Sequence, residues 1–129
     1  MSDRGGSEQS GELELATAVW AELDEGAEVP RDRLRAAVKA TLAELGHRAP
    51  GRSVEVRIPP LAAAQVIPGS THRRGTPPAV VETDPRTWLA LVLGHRGWAE
   101  AVATGAVHAS GARSDLSEYL PLWRADSRI

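Results

Sequence analysis

The chain has 129 residues, of which 42% are hydrophobic and 25% charged, and its formal net charge is −2; these are the proportions of one ordinary soluble domain. Cys, Asn and Phe are absent, which excludes a disulfide scaffold, a thiolate metal site, a cysteine nucleophile and N-glycosylation. Residues 1–28 carry eight acids and one base, and the rest carries nine acids and fourteen bases. That body lacks the dense basic stripe of a nucleic-acid binder.

Residues 1–11 are polar and rich in Gly and Ser, with nothing to bury. They read as a disordered N-terminal tail without a signal-peptide core, and residues 12–129 as a single domain. Residues 12–24 place Leu15, Ala16, Val19, Trp20 and Leu23 at helical spacing, and Gly26 stops that helix. Pro30 suits the first turn of a second helix, whose stripe is Leu34, Val38, Leu42 and Leu45. Gly46 fits the left-handed position after its last turn.

The period then changes. Val54, Val56 and Ile58 alternate with polar residues, as in a strand buried on one face. Residues 61–67 read as a second strand and residues 69–78 as a loop, with a third strand over residues 79–83. Asp84-Pro85 is a helix start, with Asp as N-cap and Pro as first residue. Trp88, Leu89, Leu91, Val92 and Leu93 follow, and Gly94 ends the helix. A shorter helix carries Trp98, a last strand sets Val107 against His108, and Ser114 caps a terminal helix with Leu116, Tyr119, Leu120 and Trp123. Pro121 cuts that helix after about two turns. The longest apolar run is six residues, Trp88 to Leu93, far below the ~20 that span a bilayer. A cytoplasmic location follows as the expectation.

Catalytic and metal signatures are thin. The four histidines, His47, His72, His95 and His108, are never three or four residues apart, so no helix presents a two-histidine metal pair. There is no G-x-S-x-G elbow to mark a nucleophilic serine. Residues 69–75 lack the spacing and lysine of a phosphate loop. Arg73 and Arg74 there belong to a solvated loop or, alternatively, meet an anionic head group or a phosphate. Trp20, Trp88, Trp98 and Trp123 supply the bulk that Phe does not, either as core or as the lining of an apolar cavity under short helices.

The stretch from Val80 to Trp123 resembles the C-terminal half of the sterol carrier protein fold. Asp84, Trp88, Leu89, Leu91 and Gly94 match its helix start; Trp98, Ala101 and Val102 match its short helix. Gly105, Val107, Ala109 and Gly111 match its strand, and Leu116 and Leu120 its C-terminal helix. The segment Arg74-Gly75-Thr76-Pro77-Pro78 is similar to a small actinobacterial branch of that family. With the preceding elements the resemblance reaches back to about Pro30.

The resemblance implies an α+β fold: a mostly antiparallel sheet of four to five strands covered by about five helices. It also implies a hydrophobic cavity between sheet and helices that takes a sterol, fatty acid or acyl-CoA. The expected lipid-binding residues are Val66, Val81, Trp88, Leu91, Val92, Trp98, Val102, Leu116, Leu120 and Trp123, with Arg73 and Arg74 as head-group candidates. No catalytic residue, metal or cofactor is expected. The expected partner is a lipid-like small molecule, with transient contact at a membrane surface and no nucleic acid. Two other classes stand beside this one. A carrier-like domain without a cavity would serve as a protein-interaction module, its partner unspecified by the sequence. A small hydrolase or isomerase would use His72 or His108 as base.

Overall fold

Two helices precede the first strand in the computed structural model, which describes residues 4–69, 79–111 and 114–124, with side chains from residue 11 onward. Helix α1 runs Arg4–Asp24 and α2 runs Arg31–Arg48. Helix α1 thus begins before residue 12, inside the segment read as a disordered tail. Propagation adds one hydrogen bond per residue once a helix exists, so the regular backbone outruns the apolar stripe. Gly26 ends the turn after α1 at φ 84°, a conformation that costs glycine little. A forked ion pair ties the two helices together: Arg33 Nη2 and Nε donate to Glu22 Oε2 and Oε1 at 2.6 and 3.0 Å.

Gly46 lies inside α2 rather than after it, and the helix ends instead at Ala49, whose N–H donates to Leu45 O. A Cβ at Gly46 would stand 3.6 Å from Val66 Cγ1. That is ordinary van der Waals contact, so neither a left-handed turn nor lack of space requires glycine here.

The strands are β1 Val54–Ile58, β2 Ala62–Val66, β3 Ala79–Thr83 and β4 Val107–Ser110. Their order in the sheet is β2-β1-β3-β4. Pairs β1–β2 and β3–β4 are antiparallel, and the central pair β1–β3 is parallel. The sheet is therefore mixed, not mostly antiparallel. A three-residue link forces β2 to turn back on β1, so β2 ends beside the start of β1, and β3, which begins at that same end, runs parallel to β1.

Alternation decides the two faces. Val54, Val56, Ile58, Ala79, Val81 and Thr83 are buried on one face. The other face carries the row Ala63, Arg57, Glu82, His108, set by the registers between neighbouring strands.

Helix α3 spans Pro85–Leu93 and α4 spans Trp98–Ala103. The start of α3 is as its sequence predicts: Asp84 Oδ1 accepts from Thr87 N at 2.7 Å, and Gly94 closes the helix at φ 81°. Every residue from Thr87 to Leu93 is buried, so α3 is the central helix of the core. Four helices are present among the described residues, where about five were expected. The missing one is the C-terminal helix. Residues 117–119 form a single turn, with Tyr119 N and Leu120 N both donating to Leu116 O at 2.9 and 3.1 Å. Pro121 supplies no donor and its ring opposes a helical turn before it. From there the chain continues as an irregular strap with a bend at residues 122–123.

Candidate functional site

Helix α3 and the strap gather most of the predicted lipid-binding residues. Val66, Val81, Trp88, Leu91, Val92 and Leu116 belong to one buried cluster, and Trp98, Leu120 and Trp123 pack half-buried on its margin. Val102 stands apart. It is 38% exposed and lines a groove on the opposite sheet face. The reason is local: Ala101 is the one position of α4 that is buried, and Val102, one residue on, turns away from it. Arg73 and Arg74, like His72, lie outside the described residues.

Among the described residues the centre of the cluster is closed. A side chain lining a void wide enough for water would keep water-accessible surface, yet Val81, Trp88, Val92 and Leu116 each keep 0%. The polar edge of Trp88 is satisfied from a distant helix, because its Nε1–H donates to Thr41 Oγ1 at 2.8 Å. Thr41 in turn spends its own proton on the carbonyls of Ala37 and Val38, both at 2.9 Å. Thr41 was not singled out from the sequence. A threonine on the apolar stripe of α2 is the signal that was there to find.

The strap runs from Leu116 to Trp123, and two anchors pin it to the core. Leu116 and Leu122 are buried. Leu122 N and Trp123 N both donate to Val92 O, at 3.0 and 3.1 Å. That carbonyl lies in the last turn of α3, where helical carbonyls lack intrahelical partners. From the other side, Arg48 Nη1 donates to Leu122 O at 2.5 Å, and its guanidinium lies 5.4 Å from the centre of the Trp123 ring. Arg48 Nε pairs with Glu44 Oε2 at 2.6 Å, and the Glu44 side chain is only 2% exposed. Charge-assisted bonds and cation–π contact converge on one guanidinium. Glu44 and Arg48 stand four residues apart on α2, a spacing visible in the sequence; their reach to the strap is not. Ser114 does not cap this region. Asp115 Oδ1 accepts from Ser117 N at 2.9 Å, and that bond holds the Asp115 carboxyl below its ordinary range.

The exposed sheet face is polar. Arg57 pairs with Glu55 at 3.0 Å and approaches Glu82 at 4.0 Å. His108 is exposed on β4 opposite Glu82 in register. Two open grooves flank Glu82, of about 530 Å³ beside Val80 and His108 and about 470 Å³ beside Pro59 and Pro60. His95 stacks on Trp20, with ring centres 4.9 Å apart and planes 13° from parallel, and Arg86 lies 5.2 Å from that indole. Among the described residues no group of three His, Cys, Asp or Glu side chains is placed to hold a metal. Nor is any described helix long and apolar enough to cross a membrane.

Comparison with known proteins agrees with this architecture. No curated protein matches the chain. The profile of the family described as "Bacterial SCP ortholog" matches residues 30–122, from the start of α2 to the strap. That is well over half of the sequence, and the chain belongs to this bacterial sterol carrier family.

Proposed function

We propose that the protein is a non-enzymatic, cytoplasmic binder or carrier of a lipid-like ligand such as a fatty acid, an acyl-CoA or a sterol. The observation that carries this reading is the strap. An apolar core next to a non-helical cover of half-buried Tyr119, Leu120 and Trp123 has a boundary that opens without unfolding a helix or a strand. Membership of the sterol carrier family supports the ligand class. The closed cluster is then the ligand-free form, and a chain-like ligand enters between α3 and the strap. Contact with a membrane surface during loading is transient.

Delipidated protein titrated with oleate, oleoyl-CoA and cholesterol tests this by thermal shift and indole fluorescence. A ligand at a hundredfold excess over its Kd stabilises the fold by about 2.7 kcal/mol. No shift with any of the three, and no lipid in an organic extract of the purified protein by mass spectrometry, overturns the reading. A second reading draws on the same closed core: the domain keeps the carrier fold without a cavity and serves as a protein-interaction module. Trp88, Val81, Val92 and Leu116, with no accessible surface, favour it.

A further inference from the structure

We propose that Arg48 is the latch of the ligand site: the Glu44–Arg48 pair on α2 holds the strap of residues 116–123 shut, and its release admits the ligand. This inference rests on the lipid-binding reading for the ligand and on the geometry alone for the latch.

Three contacts meet at Arg48. Its Nε reaches the buried Glu44 carboxylate at 2.6 Å, its Nη1 reaches Leu122 O at 2.5 Å, and its guanidinium carbon lies over the Trp123 ring, 5.4 Å from the centre. The first contact orients the guanidinium from below, within its own helix. The other two hold the strap, 74 residues further along the chain. Apart from these, the backbone bonds among the described residues between the strap and the rest of the fold are those of Leu122 N and Trp123 N to the single carbonyl of Val92. Without the Arg48 contacts, those two bonds and the buried Leu116 and Leu122 are the anchors left to a segment whose own regular structure is one turn.

The position also suits arginine rather than lysine. A guanidinium offers donors in several directions along with a flat face that stacks on an indole, while an ammonium is a compact, strongly hydrated charge. Lysine at this position keeps a positive partner for Glu44 and forfeits the simultaneous hold on Leu122 O and Trp123. Arg48→Lys therefore separates the latch from the burial of Glu44.

The test compares wild-type protein with Arg48→Lys and with the charge-free pair Glu44→Leu plus Arg48→Met, using amide hydrogen exchange resolved by NMR. Exchange at Leu122 and Trp123 is expected to accelerate at least tenfold in Arg48→Lys, with the amides of Val56 and Leu89 unchanged. The charge-free pair, which leaves no buried carboxylate unpaired, is expected to show the same selective loss. Unchanged exchange at Leu122 and Trp123, or equal acceleration at Val56 and Leu89, overturns the latch. Stopped-flow binding of oleate reads the gate: association is expected to be faster in Arg48→Lys than in wild type. Equal association rates overturn gating. Oleate that binds neither protein counts against the lipid reading, and amide exchange then judges the latch by itself.

Discussion

Trp88 Nε1 donates to Thr41 Oγ1 across the interface between α3 and α2, at 2.8 Å and with both side chains buried. The bond joins residues 47 positions apart, and it lets the largest side chain of the core sit with its polar edge satisfied. Thr41→Val keeps the volume and removes the acceptor, leaving a buried indole N–H without a partner. The expected loss is about 1–3 kcal/mol in a urea titration. Adding Trp88→Phe to that variant should cost less than Trp88→Phe costs alone, since the orphaned donor is gone.

The cap of α3 is the next prediction. Asp84 accepts from the Thr87 backbone at 2.7 Å and from the Thr87 hydroxyl at 3.1 Å. Asp84→Ala should lower stability by about 0.5–2 kcal/mol, while Asp84→Asn should lose much less. Chemical denaturation of the three proteins gives the comparison.

Glycine positions separate in a way that space predicts. A Cβ at Gly51, where φ is 154°, would fall 2.0 Å from Ile67 O, a backbone atom with no rotamer to yield. At Gly26, φ is 84° and nothing lies within 4 Å. Gly26→Ala therefore bears the left-handed penalty of about 1–2 kcal/mol alone. Gly51→Ala adds a clash to its strain and should yield little folded protein, judged by circular dichroism and expression.

Acid should weaken the fold gradually. Hydrogen bonds from Arg33 and Arg96 hold the Glu22 and Glu100 carboxyls below their ordinary values, and the Ser117 amide does the same for Asp115. A carboxyl with a depressed folded pKa contributes stability that is fully present above its unfolded pKa. That stability is lost as pH falls through the folded value. The loss therefore sets in at and below the ordinary carboxylate range. It should be small, because these groups sit in solvent. Glu22→Gln and Glu100→Gln should each flatten the slope of melting temperature against pH below that range and leave it unchanged at neutral pH.

Local rules carried far into this fold. Alternation at Val54, Val56 and Ile58 marks β1 because strand side chains point to opposite faces by geometry alone. Asp84-Pro85 marks the start of α3, and Gly94 its end, because cap chemistry is decided within a few residues. The resemblance of residues 80–123 to the sterol carrier fold rests on the same kind of short-range pattern, and it led to the right family. The burial of Trp88, Leu91 and Val92 follows from an unbroken apolar run, since a helix that is apolar all round has to be buried all round.

What required the assembled chain was every relation between segments distant in sequence. The parallel pairing of β1 with β3 depends on β3 taking the edge of β1 opposite β2, and no local residue pattern states it. Leu116, Tyr119, Leu120 and Trp123 have helical spacing, yet they form a strap: Pro121 breaks the turn, and the N–H groups of Leu122 and Trp123 find Val92 O instead. Val102 shared the apolar character of the other lining candidates, and the direction in which α4 packs turned it to the opposite face. Thr41, Glu44 and Arg48 look like ordinary helix residues until α3 and the strap arrive beside them. Secondary structure is set by interactions over three or four residues and is written in the sequence directly. The hydrogen-bond partners of Trp88 and Leu122 come from parts of the chain that only the closure of the core brings within 3 Å.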